Sequence, residues 1–209
     1  PISHTAEWAA TVERIYDYDM MEGMVRTDFM TSLEEADLAP LIGFFGSEQG
    51  QMIVGLEVSA RRALLDDAVE EAAKEAAAIA SADGDPRIAL VGEFVDINNL
   101  IETNVEGALN SNLAFYGGLV DGRAFDGALS EEQILSDVWS QEQEIRESTT
   151  EWIYSFLFMA YQPLADADLQ AYIAFSETEA GGEINRAMFE SFDRLFTGIS
   201  RSLGRAAAN

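Results

Sequence analysis

Residues 33–53 read LEEADLAPLIGFFGSEQGQMI, and residues 164–184 read LADADLQAYIAFSETEAGGEI. The two stretches align without a gap at an offset of 131, and nine of their 21 positions are identical. Ordinary composition gives roughly one or two such matches by chance. The shared residues are Leu33/Leu164, Ala36/Ala167, Asp37/Asp168, Leu38/Leu169, Ile42/Ile173, Phe44/Phe175, Glu48/Glu179, Gly50/Gly181 and Ile53/Ile184. A repeat of this kind organises a whole fold, so it is read first.

Each copy spells a short helix, a corner and a second helix. Asp37 and Asp168 fall in the first turn of the short helix, where a carboxylate meets the positive end of the helix dipole. Leu38, Leu41, Ile42 and Phe45 are spaced i, i+3, i+4, i+7, which predicts one buried face. The short helix is expected to end near Phe44 and Phe175. Ser47 and Thr178 then suit the N-cap of the next helix, with Glu48 and Glu179 just inside it. Gly50 and Gly181 stand in that first turn, where glycine costs about 1 kcal/mol of helix propensity. Their presence in both copies predicts that two backbones approach closely at the corner. The competing reading is a ligand site at an exposed helix N-terminus.

Helical periodicity continues outward from both copies, and no β alternation occurs. The expected fold is all-α: a helical bundle, one domain over 1–209, built from two related halves of roughly 1–82 and 86–209. A helix or helix pair covers about 5–31. One segment from Ser47 to about Ala82 carries the stripe Ile53, Leu56, Ala60, Leu64. Asp85-Pro86 reads as an N-cap followed by proline at the first helical position, opening a helix with Leu90, Phe94, Ile97 and Ile101. The glycine-rich stretch 116–129 is expected to break the chain. Ser130 and Gln133 form a capping box before one long helix to about Tyr161, with Val138, Ile145, Trp152, Phe156 and Ala160 inward. Ile184, Met188, Phe192, Leu195, Ile199 and Leu203 form the last stripe.

The chain has 209 residues, 38 of them acidic and 12 basic, for a net charge of −26. That balance opposes binding to nucleic acid, whose phosphates need basic neutralising groups, and to anionic membrane surfaces. It favours solubility, or else a surface for cations or a basic partner. Eleven of the twelve basic residues are Arg, with Lys74 the single lysine. There is no cysteine, which excludes disulfides and thiolate chemistry. No apolar run approaches the roughly 20 residues of a transmembrane helix. The chain starts at Pro1 rather than Met; a removed signal peptide or an artificially trimmed start would both explain this, and export with the signal peptide removed is the expectation.

Ala36-Asp37-Leu38, Leu41 to Ser47 and Gly50-Gln51 together resemble the signature of a bacterial family, domain of unknown function 2059 (DUF2059). That signature is an acid and Leu at a helix start, an aromatic pair, Ser, and Gly followed by Gln or Lys. The second copy is similar to it, with Thr178 in place of Ser and Gly182 after Gly181. Glu48 and Glu179 stand where the family often has Pro. Glu34 and Ala165 stand where it often has Ser or Thr. The resemblance covers about 20 residues per copy. It implies an exported, periplasmic helical protein and no particular activity.

Chemistry is thinly represented. The one histidine, His4, lies beside the chain start, so no Ser–His–Asp arrangement is expected. Gly46-Ser47-Glu48-Gln49-Gly50 is not a nucleophile elbow, because the serine directly follows the first glycine. No Glu-x-x-His occurs, as a di-metal carboxylate bundle would need. Asp83-Gly84-Asp85, and Asp121 with Asp126-Gly127, miss calcium-loop spacing and read as turns. No catalytic, cofactor-binding or metal-binding residue is assigned, and no cofactor is expected. Asn98 and Glu102 interrupt an apolar helix one turn apart. They are the candidate ligand-binding pair if their face turns inward. The aromatics Phe44, Phe45, Phe115, Trp139, Trp152, Phe156, Phe158, Tyr161, Phe175, Phe189, Phe192 and Phe196 read as core, or else as a greasy cleft between the halves. The expected function is a non-enzymatic interaction or structural module of the envelope with an unknown protein partner. The alternative is a carrier or sensor of an apolar small molecule held between the halves, and a hydrolase is the least supported class.

Overall fold

The computed structural model describes residues 5–124 and 130–208. His4, Asp126 and Gly127 lie outside them. The described residues form eleven helices and no strand: α1 (Ala6–Ile15), α2 (Tyr18–Ser32), α3 (Leu38–Phe45), α4 (Glu48–Ala63), α5 (Asp67–Asp83), α6 (Pro86–Ile97), α7 (Leu100–Asp121), α8 (Glu131–Trp139), α9 (Glu142–Tyr161), α10 (Asp166–Ser176) and α11 (Glu179–Ala207). The fold is all-α, as the periodicity requires.

Short polar side chains set most helix starts. Thr5, Asp17, Asp37, Ser47, Asp66, Asp85 and Ser130 each accept a hydrogen bond from a backbone N–H of the first turn. This satisfies donors that the helix itself leaves unpaired. Pro86 stands at the start of α6 behind Asp85, and Ser130 and Gln133 make the reciprocal capping box.

Two expected long helices are broken. The segment from Ser47 divides at Leu64–Asp66, because the Asp66 carboxylate accepts from Ala68 N at 2.9 Å and starts α5. The segment from Ser130 divides at Ser140–Gln141, whose side chains both donate to the Asp137 carbonyl, at 2.7 and 3.0 Å. Local side-chain bonds of this kind compete with continued helix.

The reverse holds at 116–121, where glycines predicted a break and α7 continues to Asp121. Gly118 and Gly204 let α7 and α11 touch backbone to backbone. A Cβ on Gly204 would lie 3.0 Å from Gly118 Cα and would overlap the Phe115 carbonyl oxygen. Asp121 then holds Arg201 and Arg205 of α11 at 2.8 and 2.7 Å. These two guanidinium groups lower its pKa to about 2.

By packing, the chain falls into two compact units. One comprises Pro1–Glu34, Thr103–Ile145 and Ala187–Asn209; the other comprises Glu35–Glu102 and Arg146–Arg186. This division differs from halves of 1–82 and 86–209, because early and late segments pack together. In the first unit Leu33, Val105, Leu109, Ile134, Val138, Ala187, Leu195 and Ile199 are buried. In the second, Ile53, Ala60, Val91, Phe94, Val95, Ile153, Leu157, Ala160, Tyr161, Leu164, Leu169 and Ile173 form one continuous core. There α6 packs on α10 and α5.

The apolar stripes held in part. Ile53, Ala60 and Leu64 are buried and Leu56 is packed against the core. On α3, Leu41 is buried whereas Ile42 is 69% exposed, and Phe44 rather than Phe45 packs on the core. On α11 the inner row is Ala187, Ser191, Leu195 and Ile199, with Met188 and Phe192 exposed.

Candidate functional site

The second unit holds most of the two aligned stretches, from Glu35 in the first and all of 164–184 in the second. In the first copy Ser47 Oγ donates to the Phe44 carbonyl at 2.6 Å and accepts from Gly50 N at 3.1 Å. In the second, Thr178 Oγ1 donates to the Phe175 carbonyl at 2.6 Å and accepts from Gly181 N at 3.1 Å. Each hydroxyl closes one helix and opens the next.

The corner glycines answer to the close approach that their positions predicted. A Cβ on Gly50 would overlap the Phe44 carbonyl oxygen and come within 2.8 Å of Phe45 Cα. A Cβ on Gly181 would overlap the Phe175 carbonyl oxygen and come within 2.7 Å of Ser176 Cα. Backbone atoms cannot yield as a flexible side chain would, so only glycine fits.

Phe44 and Phe175 stack across the two copies, with ring centroids 4.0 Å apart and planes 9° from parallel. Phe45 stands edge-on to Phe175 at 5.5 Å. Tyr172 lies against Phe44 at 5.6 Å and Phe94 at 4.7 Å. Such contacts stabilise beyond their buried area. The matched acids differ in role. Asp37 caps α3 by accepting from Ala39 N, whereas Asp168 lies within the first turn of α10 and accepts from Gln49 Nε2 at 2.9 Å. The helix of the second copy starts earlier in the repeat, at Asp166, with no side-chain cap.

Behind the aromatic rings sits the most unusual polar group. Glu57 projects from the apolar stripe of α4, and its Oε1 accepts from the Tyr161 hydroxyl at 2.7 Å. Tyr172 also interacts with it. Burial raises the Glu57 pKa, opposed by the hydrogen bonds from both tyrosines. Burial and the neighbouring Glu57 carboxyl push both tyrosines well up. The carboxyl therefore links α4 to α9 and α10.

Arg61, one turn along α4 and suitably spaced to pair with Glu57, turns away. Its guanidinium lies 4.5 Å from the Trp152 ring centroid and 5.4 Å from that of Phe156. Partial burial lowers its pKa. On the other side of the core, Arg87 donates to the Leu164 carbonyl at 2.8 Å and pairs with Asp166 at 2.8 Å. This fixes α6 to the turn before α10.

Asn98 and Glu102 do not form the expected pair. The helix carrying them ends at Ile97 and restarts at Leu100, and Asn99 adopts a φ of 50°. Spacing of one turn has no meaning across that break. Asn98 is buried at the end of α6, where its side chain donates to the Phe94 carbonyl at 2.9 Å. Its own carbonyl accepts from Asn185 Nδ2 at 2.9 Å. Glu102 is exposed and clamped at both oxygens by Arg146, which lowers its pKa.

No protein-family model matches the chain, and no curated protein or solved structure shows significant similarity to it.

Among the described residues, no three His, Asp or Glu side chains converge as a metal would require. Two hollows among the described residues are open grooves. One, of about 740 Å³, runs along α5 and includes Lys74, Glu75 and Glu151. The other, of about 500 Å³, runs along α1 beside Trp8 and Val12. Neither includes a residue of the paired corners. Sequence reasoning passed over Glu57, although a carboxylate four residues from Ile53 and seven from Leu64, inside an apolar stripe, was the available signal. Arg87 carried no comparable signal, because its partners come from residues 74–79 positions away.

Proposed function

We propose that this protein is a non-catalytic helical module that acts by binding another protein. The observation that carries the reading is a row of large apolar side chains left in solvent on α11. Met188, Phe192 and Phe196 recur every fourth residue, each more than a third exposed, and the last two rings stack at 6.0 Å. Exposed apolar rows of this kind mark interaction surfaces. The groups that could support chemistry are meanwhile engaged in the fold: Glu57 with Tyr161, Asp168 with Gln49, Asp121 with two arginines.

A carrier of an apolar small molecule would call for an enclosed apolar cavity, whereas the hollows along α1 and α5 are open grooves. Export to the periplasm belongs to the same proposal and rests on the family resemblance of residues 36–51. No helix among the described residues is long and apolar enough to cross a membrane. Covalent capture from host envelope extracts tests the reading. A defined protein partner, lost when Phe192 and Phe196 are both changed to Ser, is the expected result. Retention of no protein at all would contradict it.

A further inference from the structure

The four methionines Met20, Met21, Met24 and Met30 fall within eleven residues, although the chain has seven in all. They sit on α2, a helix with no fully buried residue. Met21, Val25, Asp28, Phe29 and Ser32 form its half-covered side. Asp28 and Ser32 bond there to Arg194 and Glu190 of α11. The opposite side carries Met20, Gly23, Met24, Thr27, Met30 and Thr31, all exposed.

At 3.6 residues per turn these six occupy about 120° of the helix surface. None is charged, on a chain of net charge −26. The two threonines bring no charge, and their hydroxyl protons are engaged within the helix. Thr27 Oγ1 donates to the Gly23 carbonyl at 2.8 Å, and Thr31 Oγ1 to the Thr27 carbonyl at 2.9 Å. Both hydroxyl protons are thus committed to the helix backbone. Gly23, Thr27 and Thr31 give a low track one turn apart, flanked by flexible thioethers that adapt to varied side chains. The border carries Asp17 at the N-cap, Asp19, and the exposed pair of Glu22 with Arg26 at 2.7 Å, for a net negative charge.

We infer that the Met20–Thr31 face of α2 is a docking site for a basic amphipathic helix of a partner protein. The inference rests on the reading of the chain as an interaction module and names the partner's chemistry. The apolar stripe is three turns long, which suits one face of a helix. The net negative border, with Asp17 and Asp19 beside the neutralised Glu22–Arg26 pair, and the chain's net charge of −26 favour a cationic occupant. The same charge opposes a second copy of this chain and an anionic bilayer.

The test uses the full chain with ¹³C-methyl methionine and an amphipathic Leu/Lys peptide of about 18 residues, long enough to cover the stripe. The Met20, Met24 and Met30 methyl resonances are expected to shift on titration, and those of Met52, Met159 and Met188 to stay. Met24→Glu and, separately, Thr27→Arg are expected to weaken binding about tenfold or more, while Met52→Glu leaves it unchanged. Uniform shifts at every exposed methionine, or unchanged α2 methyls, would overturn the assignment. So would equal shifts with phosphatidylcholine vesicles. A shift confined to Met188 would also overturn it, yet would leave the interaction reading standing, because the contact would then lie on α11.

Discussion

Phe44 and Phe175, 131 residues apart, lie ring on ring with centroids 4.0 Å apart. They occupy the same position in the two aligned stretches, so each stretch supplies one ring of the contact. If the stack joins the copies, the two residues are energetically coupled. A double-mutant cycle with Phe44→Leu and Phe175→Leu, followed by chemical denaturation, is expected to give a coupling of about 0.5–1.5 kcal/mol. Strict additivity would show that the contact contributes nothing of its own.

The corner glycines separate close approach from helix propensity. Gly50→Ala and Gly181→Ala drive a methyl into backbone and are each expected to destabilise the protein by about 1–3 kcal/mol. Gly55, in the middle of α4, has nothing within 4 Å of its Cβ position. Gly55→Ala is therefore expected to stabilise by up to about 1 kcal/mol. Urea midpoints of the three variants decide the matter, and equal behaviour at all three positions would refute the steric account.

Glu57 gives the fold a proton dependence of definite sign. Burial makes the folded chain hold this proton more tightly than the unfolded chain does. The stability it contributes is full below its ordinary value of 4.5 and is lost as pH rises through the raised folded value. Glu57→Gln keeps an acceptor for Tyr161 and removes the charge. Compared with the parent across pH 4–9, the variant is expected to gain relative stability as pH rises. Parallel thermal melting profiles for the two proteins would mean that Glu57 is not buried in this way. Tyr161→Phe, which removes the 2.7 Å donor, is expected to cost about 1–3 kcal/mol.

The residues once paired by spacing should behave as strangers. Asn98→Ala removes a buried bond to the Phe94 carbonyl and is expected to cost about 1 kcal/mol. Glu102→Gln breaks only an exposed ion pair with Arg146, and its melting temperature is expected to stay within error of the parent. Comparable losses from both substitutions would restore the idea of one shared polar pocket.

These comparisons mark what the chain declares about itself. Helix class, the Asp85-Pro86 start and the Ser130–Gln133 box are local, and local rules find them. The breaks at Asp66 and Ser140 were hidden because one or two side-chain bonds to the backbone override an otherwise continuous apolar pattern. The uninterrupted helix at 116–121 was hidden for the opposite reason. Gly118 signals a turn when read alone and close packing only once Gly204 is known to face it.

The candidate site was legible in its parts and not in its assembly. Ser47, Thr178, Gly50 and Gly181 do what their positions predicted. That Phe44 would meet Phe175, or that Glu57 would meet Tyr161 from 104 residues away, follows from tertiary packing that no spacing rule encodes. The mistaken pairing of Asn98 with Glu102 has a similar root, since one residue with φ of 50° at Asn99 cancels the helical register on which it depended.

Native mass spectrometry of the protein purified from its own host tests the central claim most directly, namely that it works through surfaces and not through a held small molecule or a catalytic centre. The account predicts the bare polypeptide mass, alone or with a bound polypeptide. A stoichiometric small molecule that survives gentle desolvation and leaves on unfolding would contradict it.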